Sequence, residues 1–238
     1  MDQFKFSLGP FEIFSAVVGG IPLLIAGCLL YSPFESLQDF IVPVRENSSL
    51  SVAIALLIFS YLIGAAMQGI SWKYFLFICK LFHHSYNYFG GAIQQKNSRL
   101  PSGDDLSELA LQSLDFESRI AVVLRRKIGI PKRHRWMDAR IMAYLREHNR
   151  QSTLNAIEHY TAQHIMYRTW SLGFCAIAFV VFINPFRTGT FTLEQWLLPF
   201  VSVFFAYAAF FQALQHQRWR NRELILGFYF AETERGDL

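Results

Sequence analysis

Four long apolar runs dominate the pattern of hydrophobic and polar positions along the chain. They cover Phe11–Tyr31, Leu50–Trp72, Trp170–Phe186 and Trp196–Leu214, and Glu12, at the edge of the first run, is the one charged residue inside them. A helix needs roughly 20 predominantly apolar residues to cross about 30 Å of hydrocarbon. Core helices of a soluble protein carry a polar stripe at helical spacing, which these runs lack. The pattern therefore predicts four transmembrane helices.

The segment between the second and third runs alternates apolar and polar positions at helical spacing. Glycines and a proline in Asn87–Gly103 indicate a linker. After it, apolar positions recur every three or four residues and predict one amphipathic helix from Asp104 that ends at Gly129; these positions are Leu106, Leu109, Ser113, Phe116, Ile120 and Val123. A second helix is expected from about Trp136.

The same periodicity returns before the third run and after the fourth. No helix breaker separates Ser152 from Trp170, so we expect one long helix from about Ser152 to Ile183, half outside and half inside the membrane. Beyond the fourth run, Arg218, Arg220 and Arg222 precede an apolar patch at 224–229. We expect this patch to pack back on the helices of the segment between the spans.

The predicted fold is an all-α integral membrane protein with four transmembrane helices and a helical cytosolic module between spans two and three. Its parts are residues 1–83, with the first two spans and a cytosolic extension, residues 84–168, the basic module, and residues 169–238, with the last two spans and a C-terminal helix.

The distribution of Lys and Arg predicts the orientation in the membrane. Of the 22 such residues, 20 fall on one side if the chain crosses four times, and 15 of them lie between Lys73 and Arg168. Lys and Arg accumulate in cytoplasmic loops. We therefore expect a multi-pass membrane protein with both termini in the cytosol.

A dense cluster of cations surrounds a Gly/Pro turn in the module and is the strongest candidate binding site. Its side chains attract phosphates, which favours a lipid headgroup, a nucleotide or a nucleic acid as the anionic ligand. One aromatic residue beside it is suited to stack on a base. The candidate residues are Arg125, Arg126, Lys127, Lys132, Arg133, Arg135 and Trp136.

Small and amide residues in the first two spans form a second candidate set. Small side chains allow the close helix contact that lipid does not otherwise drive, either within one subunit or between subunits, where they would also line a pore. We assign Gly19, Gly20, Gly64, Gln68 and Gly69 to oligomer or pore contacts. Membrane lipids and other copies of the chain are thus expected partners.

Nothing in the sequence indicates covalent chemistry. The spans lack the ionisable residues that mark ion-coupled carriers, and no phosphate-binding loop or nucleophile motif occurs. His159 and His164 are five residues apart and do not share a helix face as a metal pair would. We expect neither a cofactor nor a metal; a lipid-modifying enzyme using His159, His164 and Glu158 is the enzymatic alternative.

Short pieces of the spans carry a resemblance to a known group. The segments FEIFSAVVGGIP at 11–22, SYLIG at 60–64 and RTWSL at 168–172 resemble small bacterial membrane proteins of anti-phage defence, including the four-span subunit of Kiwa-type systems. The resemblance implies an oligomeric inner-membrane sensor or effector that signals to a cytosolic partner or permeabilises the membrane. The alternative is a membrane anchor or scaffold subunit of a larger complex.

Overall fold

The computed structural model describes residues 10–34, 49–87, 90–93, 95, 114–129 and 134–233; for residues 134–136 it describes the backbone only. The helices with defined bounds are α1 (Pro10–Tyr31), α2 (Leu50–Leu81), α3 (Phe116–Lys127), α4 (His134–Glu147), α5 (Gln151–Thr188) and α6 (Leu193–Thr233), and residues 90–93 are helical as well. No strand occurs in these ranges. The prediction of an all-α chain is confirmed for them.

Four of the helices are long and apolar enough to cross a membrane, namely α1, α2, α5 and α6. Each contains one of the four apolar runs, and α5 is the long continuous helix that the sequence predicts. Because none of the four is interrupted, the apolar runs coincide with unbroken helical backbone. The four helices suggest a multi-pass membrane protein.

The predicted amphipathic helix starting at Asp104 is wrong in one respect. Asp115 is the N-cap of α3, with φ −63° and ψ 156°, so the helix begins at Phe116 and the backbone is not helical at Asp115. An extended N-cap is the usual place for Asp, which competes with the helix for backbone hydrogen bonds. The apolar spacing continues through this break, and the positions before residue 114 lie outside the described residues.

The chain divides into two compact units. The first contains Met1–His84 and Ala162–Gln215, hence α1, α2, most of α5 and the start of α6. Its helices are joined by side chains that donate to backbone carbonyls: Trp170 Nε1 to Val18 O at 2.7 Å, Ser171 Oγ to Ala206 O at 2.8 Å, and Ser60 Oγ to Val17 O. Such interhelical hydrogen bonds are typical of helices packed in lipid.

The second unit contains Ser85–Thr161 and His216–Leu238. Its core joins α3, α4, the start of α5 and the end of α6, through residues that include Ile120, Leu124, Ile141, Leu145, Ile157, Leu224, Ile225 and Phe228, each at most 2% exposed. The prediction that the apolar patch at 224–229 packs on the helices between the spans is confirmed.

Candidate functional site

The described part of the basic turn lies in the last turn of α3. Arg125 is half-buried, whereas Arg126 and Lys127 are exposed. Cations here interact favourably with the C-terminal end of the helix dipole. Lys132 and Arg133 lie outside the described residues, and Arg135 and Trp136 are in α4 without described side chains. The structure therefore leaves the proposed anion site a prediction.

Lys127 forms an ion pair with a buried carboxylate of the second unit. Its Nζ lies 3.1 Å from Oε2 of Glu232, whose side chain is only 2% exposed. The hydroxyl of Tyr144 donates to the other oxygen of the same carboxylate. A buried carboxylate requires such partners, because desolvation of a lone charge is costly. Lys127 thus has a structural role in addition to any ligand contact.

Arg140, which no sequence pattern marks, closes the turn after α3. Gly129 has φ +69°, the left-handed conformation that glycine adopts most easily. Arg140 Nη1 donates to the carbonyl of Ile128 at 2.7 Å and so satisfies an oxygen at the end of α3. The spacing of residues along the chain does not predict the hydrogen bond between Arg140 and Ile128, because Arg140 lies on the next helix.

A polar cluster in the first unit is centred on Arg168. Its Nε donates to Ser71 Oγ and its Nη2 to Gln68 O, both at 3.2 Å. Its Cζ lies 5.3 Å from the centroid of the Trp72 ring, within reach of a cation–π interaction. No carboxylate is among its partners in the described residues. The guanidinium therefore joins α5 to α2 through neutral acceptors.

The geometry of this cluster assigns the tautomer of His164. Its Nε2 lies 3.2 Å from Arg168 Nη1, and its Nδ1 lies 2.9 Å from the carbonyl oxygen of Ala213. A guanidinium has no acceptor, so Nε2 must accept; a carbonyl has no donor, so Nδ1 must donate. The imidazole is therefore neutral with its proton on Nδ1. This residue, 2% exposed, holds α5 to α6.

A pocket of about 380 Å³ lies in the second unit, lined by Tyr160 of α5 and by Trp219, Arg222, Glu223 and Leu226 of α6. The rings of Tyr160 and Trp219 lie 5.9 Å apart between centroids, inclined at 51°. Two aromatic rings, a cation and an anion thus surround one concave space. Of these lining residues, the sequence pattern marks only Arg222 and the apolar Leu226. It does not relate Tyr160 to Trp219, because they are far apart in the chain.

Two histidines lie beside this pocket. The ring of His216 packs edge-on against Trp219, with centroids 5.0 Å apart. Burial lowers the pKa of His216, and the charge of nearby His159 lowers it further. Both effects favour the neutral imidazole at pH 7. His216 therefore supports the Trp219 ring mainly as an uncharged aromatic group.

The candidate glycines occupy different environments. A Cβ at Gly20 would overlap the carbonyl of Ser60, and one at Gly64 would overlap the carbonyl of Ala16, so both lie where α1 and α2 touch within one chain. Gly19 faces Thr169 at ordinary contact distance, whereas Gly69 has open space around it. Gln68 contributes its carbonyl to Arg168. Their assignment to oligomer or pore contacts stays a prediction.

The residues of the enzymatic alternative have unequal exposure. Glu158 and His159 are exposed, whereas His164 is buried and engaged in the bonds described above. Within the described ranges, no group of three His, Cys, Asp or Glu side chains lies close enough to hold a metal. The enzymatic alternative stays a prediction.

Comparison with protein-family models, curated proteins and solved structures finds no match for this chain. The resemblance to subunits of Kiwa-type defence therefore has no support from these comparisons and stays a prediction from short segments of the spans.

Proposed function

We propose that the chain is a multi-pass protein of the bacterial inner membrane that works as a homo-oligomeric sensor or effector. In this proposal its action is a rearrangement of helices and not covalent chemistry. A cytosolic partner or an anionic trigger engages the basic turn, and the response is either a signal to that partner or permeabilisation of the membrane.

The apolar outer surface of α2 is the observation that carries this proposal. Of its 32 residues, those buried in the chain are Ser60, Gly64, Ser71, Phe75 and Cys79. Its exposed residues include many large apolar side chains; Ile54, Ile58 and Leu62, spaced four residues apart, are each about half exposed. Such a surface is unfavourable in water. Lipid tails and neighbouring copies are the environments that suit it.

The polar contacts of the first unit also favour a mechanical role. Arg168 and His164 join three helices by hydrogen bonds to neutral acceptors. Contacts of this kind have discrete alternatives when one helix shifts, which is a requirement of a switch. The defence setting itself is supported only by the resemblance of residues 11–22, 60–64 and 168–172.

The first experiment separates membrane insertion from assembly. The full-length protein is expressed in a bacterial host, its membranes are washed with alkaline carbonate, and the purified protein is weighed in lipid nanodiscs. We expect retention in the washed membranes and a mass of several chains. Recovery in the soluble fraction would contradict the membrane proposal, and a monomeric mass would contradict the oligomeric one.

Cross-linking at α2 tests which surface meets a neighbouring copy. In a variant without native cysteines, a single cysteine replaces Ile54, Ile58 or Leu62, and the matched control places it at Ser60, which is 1% exposed. Oxidation in membranes should give disulfide-linked dimers from the outer positions and none from Ser60. Equal yields at all four positions would contradict a specific α2 contact.

The trigger is tested in cells. Bacteria carrying the gene are challenged with phage while a potential-sensitive dye reports depolarisation. An effector lowers phage yield and depolarises the membrane after infection, whereas a sensor lowers yield only with its partner and without depolarisation. Phage yield that is unchanged with and without the gene and its genomic neighbours would contradict the defence setting. A single copy bound to a larger cytosolic protein would favour the scaffold role.

A further inference from the structure

The pocket at Tyr160 and Trp219 has the composition of a small-molecule site. Its volume of about 380 Å³ lies within the range of roughly 300–1,000 Å³ that is typical of ligand pockets. All of its lining residues belong to the second unit. Its chemistry is therefore defined by one folded module.

The aromatic wall is held in place before any ligand arrives. The ring centroid of Trp219 lies 5.9 Å from that of Tyr160 and, in a T-shaped arrangement, 5.0 Å from that of His216. The centroids of Tyr160 and His216 are 6.1 Å apart. Trp219 nevertheless keeps 44% of its surface exposed. The face of an indole attracts cations more strongly than that of any other side chain. A positively charged group of a ligand is thus suited to this wall.

Arg222 and Glu223 supply one charge of each sign to the same pocket. The neighbouring arginines of α6 are engaged: Arg220 pairs with Asp138 at 2.9 Å, and Arg218 donates to Ser85 O at 3.0 Å. Among the described residues, neither Arg222 nor Glu223 has a hydrogen bond or ion pair. Guanidinium is suited to a phosphate, and carboxylate to an ammonium.

The place of the pocket along α6 indicates the source of such a ligand. Trp219 lies five residues after the end of the apolar run at Leu214, about 7.5 Å along the helix axis. Trp and Tyr favour the membrane interface, where phospholipid headgroups occupy a layer of roughly 5–8 Å. A headgroup is therefore the nearest molecule that carries a phosphate.

We propose that this pocket binds a phosphoethanolamine-type zwitterion, supplied as the headgroup of a phospholipid. Arg222 holds the phosphate, and the ammonium lies between the Glu223 carboxylate and the face of Trp219, with Tyr160 as the second wall. This inference rests on the proposed membrane placement of the chain. The pocket also differs from the basic turn. The basic turn attracts any anion, whereas the pocket requires both the negative and the positive charge of the ligand.

The test compares two lipids that share a phosphate and acyl chains. Full-length protein in detergent is titrated with phosphatidylethanolamine or phosphatidylglycerol, and bound lipids are counted by native mass spectrometry. We expect phosphatidylethanolamine to bind about tenfold more tightly, since one well-placed charge pair accounts for a difference of that order. Equal affinity of the two lipids would overturn the proposal.

Substitutions at the pocket separate the two charges. Glu223→Gln should remove the preference and leave phosphatidylglycerol binding unchanged, whereas Arg222→Gln should weaken both lipids. The chain offers a matched control in Arg146 and Glu147, an adjacent exposed Arg-Glu pair with no described side-chain contact. Arg146→Gln and Glu147→Gln should change nothing. An unchanged preference in Glu223→Gln, or the same losses in the controls, would overturn the proposal.

A third arm separates the two sources of the zwitterion. Water-soluble glycerophosphoethanolamine has the headgroup without acyl chains and is added as a competitor. If it fails to displace the lipid, the membrane is the source; if it displaces the lipid and binds Glu223→Gln more weakly, the pocket reads the zwitterion from either source. Protein that stays in carbonate-washed membranes yet lacks the preference overturns this inference alone, because membrane placement is measured separately.

Discussion

Gly20 and Gly64 set the distance between α1 and α2, because a Cβ at either position would overlap a backbone carbonyl of the other helix. Lipid supplies no hydrophobic drive between helices, so van der Waals contact at such close approach is a main source of their association. A Cβ added at Gly69, on the same helix as Gly64, would meet no atom of another element within 4 Å. Gly64 and Gly69 therefore allow a comparison of two glycines on one helix, of which only Gly64 contacts another helix.

Gly64→Ala should destabilise the first unit by about 1–3 kcal/mol, the usual cost of overpacking, even though alanine has the higher helix propensity. Gly69→Ala, with open space around it, should be neutral or stabilising. The stability of both variants is measured by thermal unfolding in detergent, in which the readout is the fraction of protein that remains monodisperse. Equal melting temperatures for the two variants would show that the contact does not limit stability.

Arg168 is the residue whose geometry is hardest to replace. Its planar fork reaches Ser71 Oγ, Gln68 O and His164 Nε2 at once, whereas the ammonium of lysine is a point charge on a flexible stem. Arg168→Lys should therefore lower the free energy of unfolding by about 2 kcal/mol, the size of a hydrogen bond to a charged group.

The control for this substitution lies in the last turn of the same helix. Arg187 is exposed and has no described side-chain contact, so Arg187→Lys should leave the melting temperature unchanged. If both variants unfold like the parent protein, the hydrogen bonds of Arg168 contribute little, and the cluster is held by the packing of Trp72 and Phe75 around His164.

At the scale of elements, the end of α6 completes the core of the second unit. Phe228 is fully buried and packs edge-on against Tyr144 of α4, with ring centroids 4.9 Å apart. Phe230, two residues later, is 51% exposed. The same helix thus carries two identical side chains in opposite environments.

Phe228→Ala should cost about 3–5 kcal/mol, the range for a large side chain removed from a core. Phe230→Ala should change stability by no more than about 0.5 kcal/mol, as is usual on a surface. Amide hydrogen exchange distinguishes a local loss of stability from a general one. In Phe228→Ala, the protection of backbone amides should fall in α3 and α4. Unchanged protection would mean that the tail is dispensable for the core.

The elements show which parts of the fold the sequence predicts and why. The long helices were predicted because an apolar run is a property of consecutive residues. Helix α5 is continuous through Trp170 because no breaker lies between Ser152 and Trp170, and Pro185 lies only in its last turn. The start of α3 was missed because apolar spacing continues across Asp115, where the choice between helix and N-cap depends on the surrounding structure.

The candidate site was less predictable, because its contacts join distant parts of the chain. Lys127 was singled out as a phosphate ligand from its neighbours in sequence, whereas its partner Glu232 lies over a hundred residues later. Tyr160 and Trp219 meet only because α5 and α6 pack together. No spacing rule relates residues on separate helices, so charge clusters are found from sequence more easily than pockets.

At the scale of the whole molecule, the bias of Lys and Arg predicts the orientation of the chain. A C-terminal fusion to green fluorescent protein should fluoresce and one to alkaline phosphatase should be inactive, because both reporters depend on the side of the membrane. Fusions placed after Thr190, between α5 and α6, should give the reverse result. Active phosphatase at the C-terminus would contradict the predicted orientation.

The close contact of α1 and α2 has a consequence for how the protein is made. Both helices lie within the first 81 residues, and α5 begins about 70 residues later. At roughly 5–20 residues per second, the ribosome needs several seconds to reach α5 after α2 is complete. The glycine-mediated hairpin therefore has time to assemble during translation and to serve as the surface on which Trp170 and Arg168 later dock.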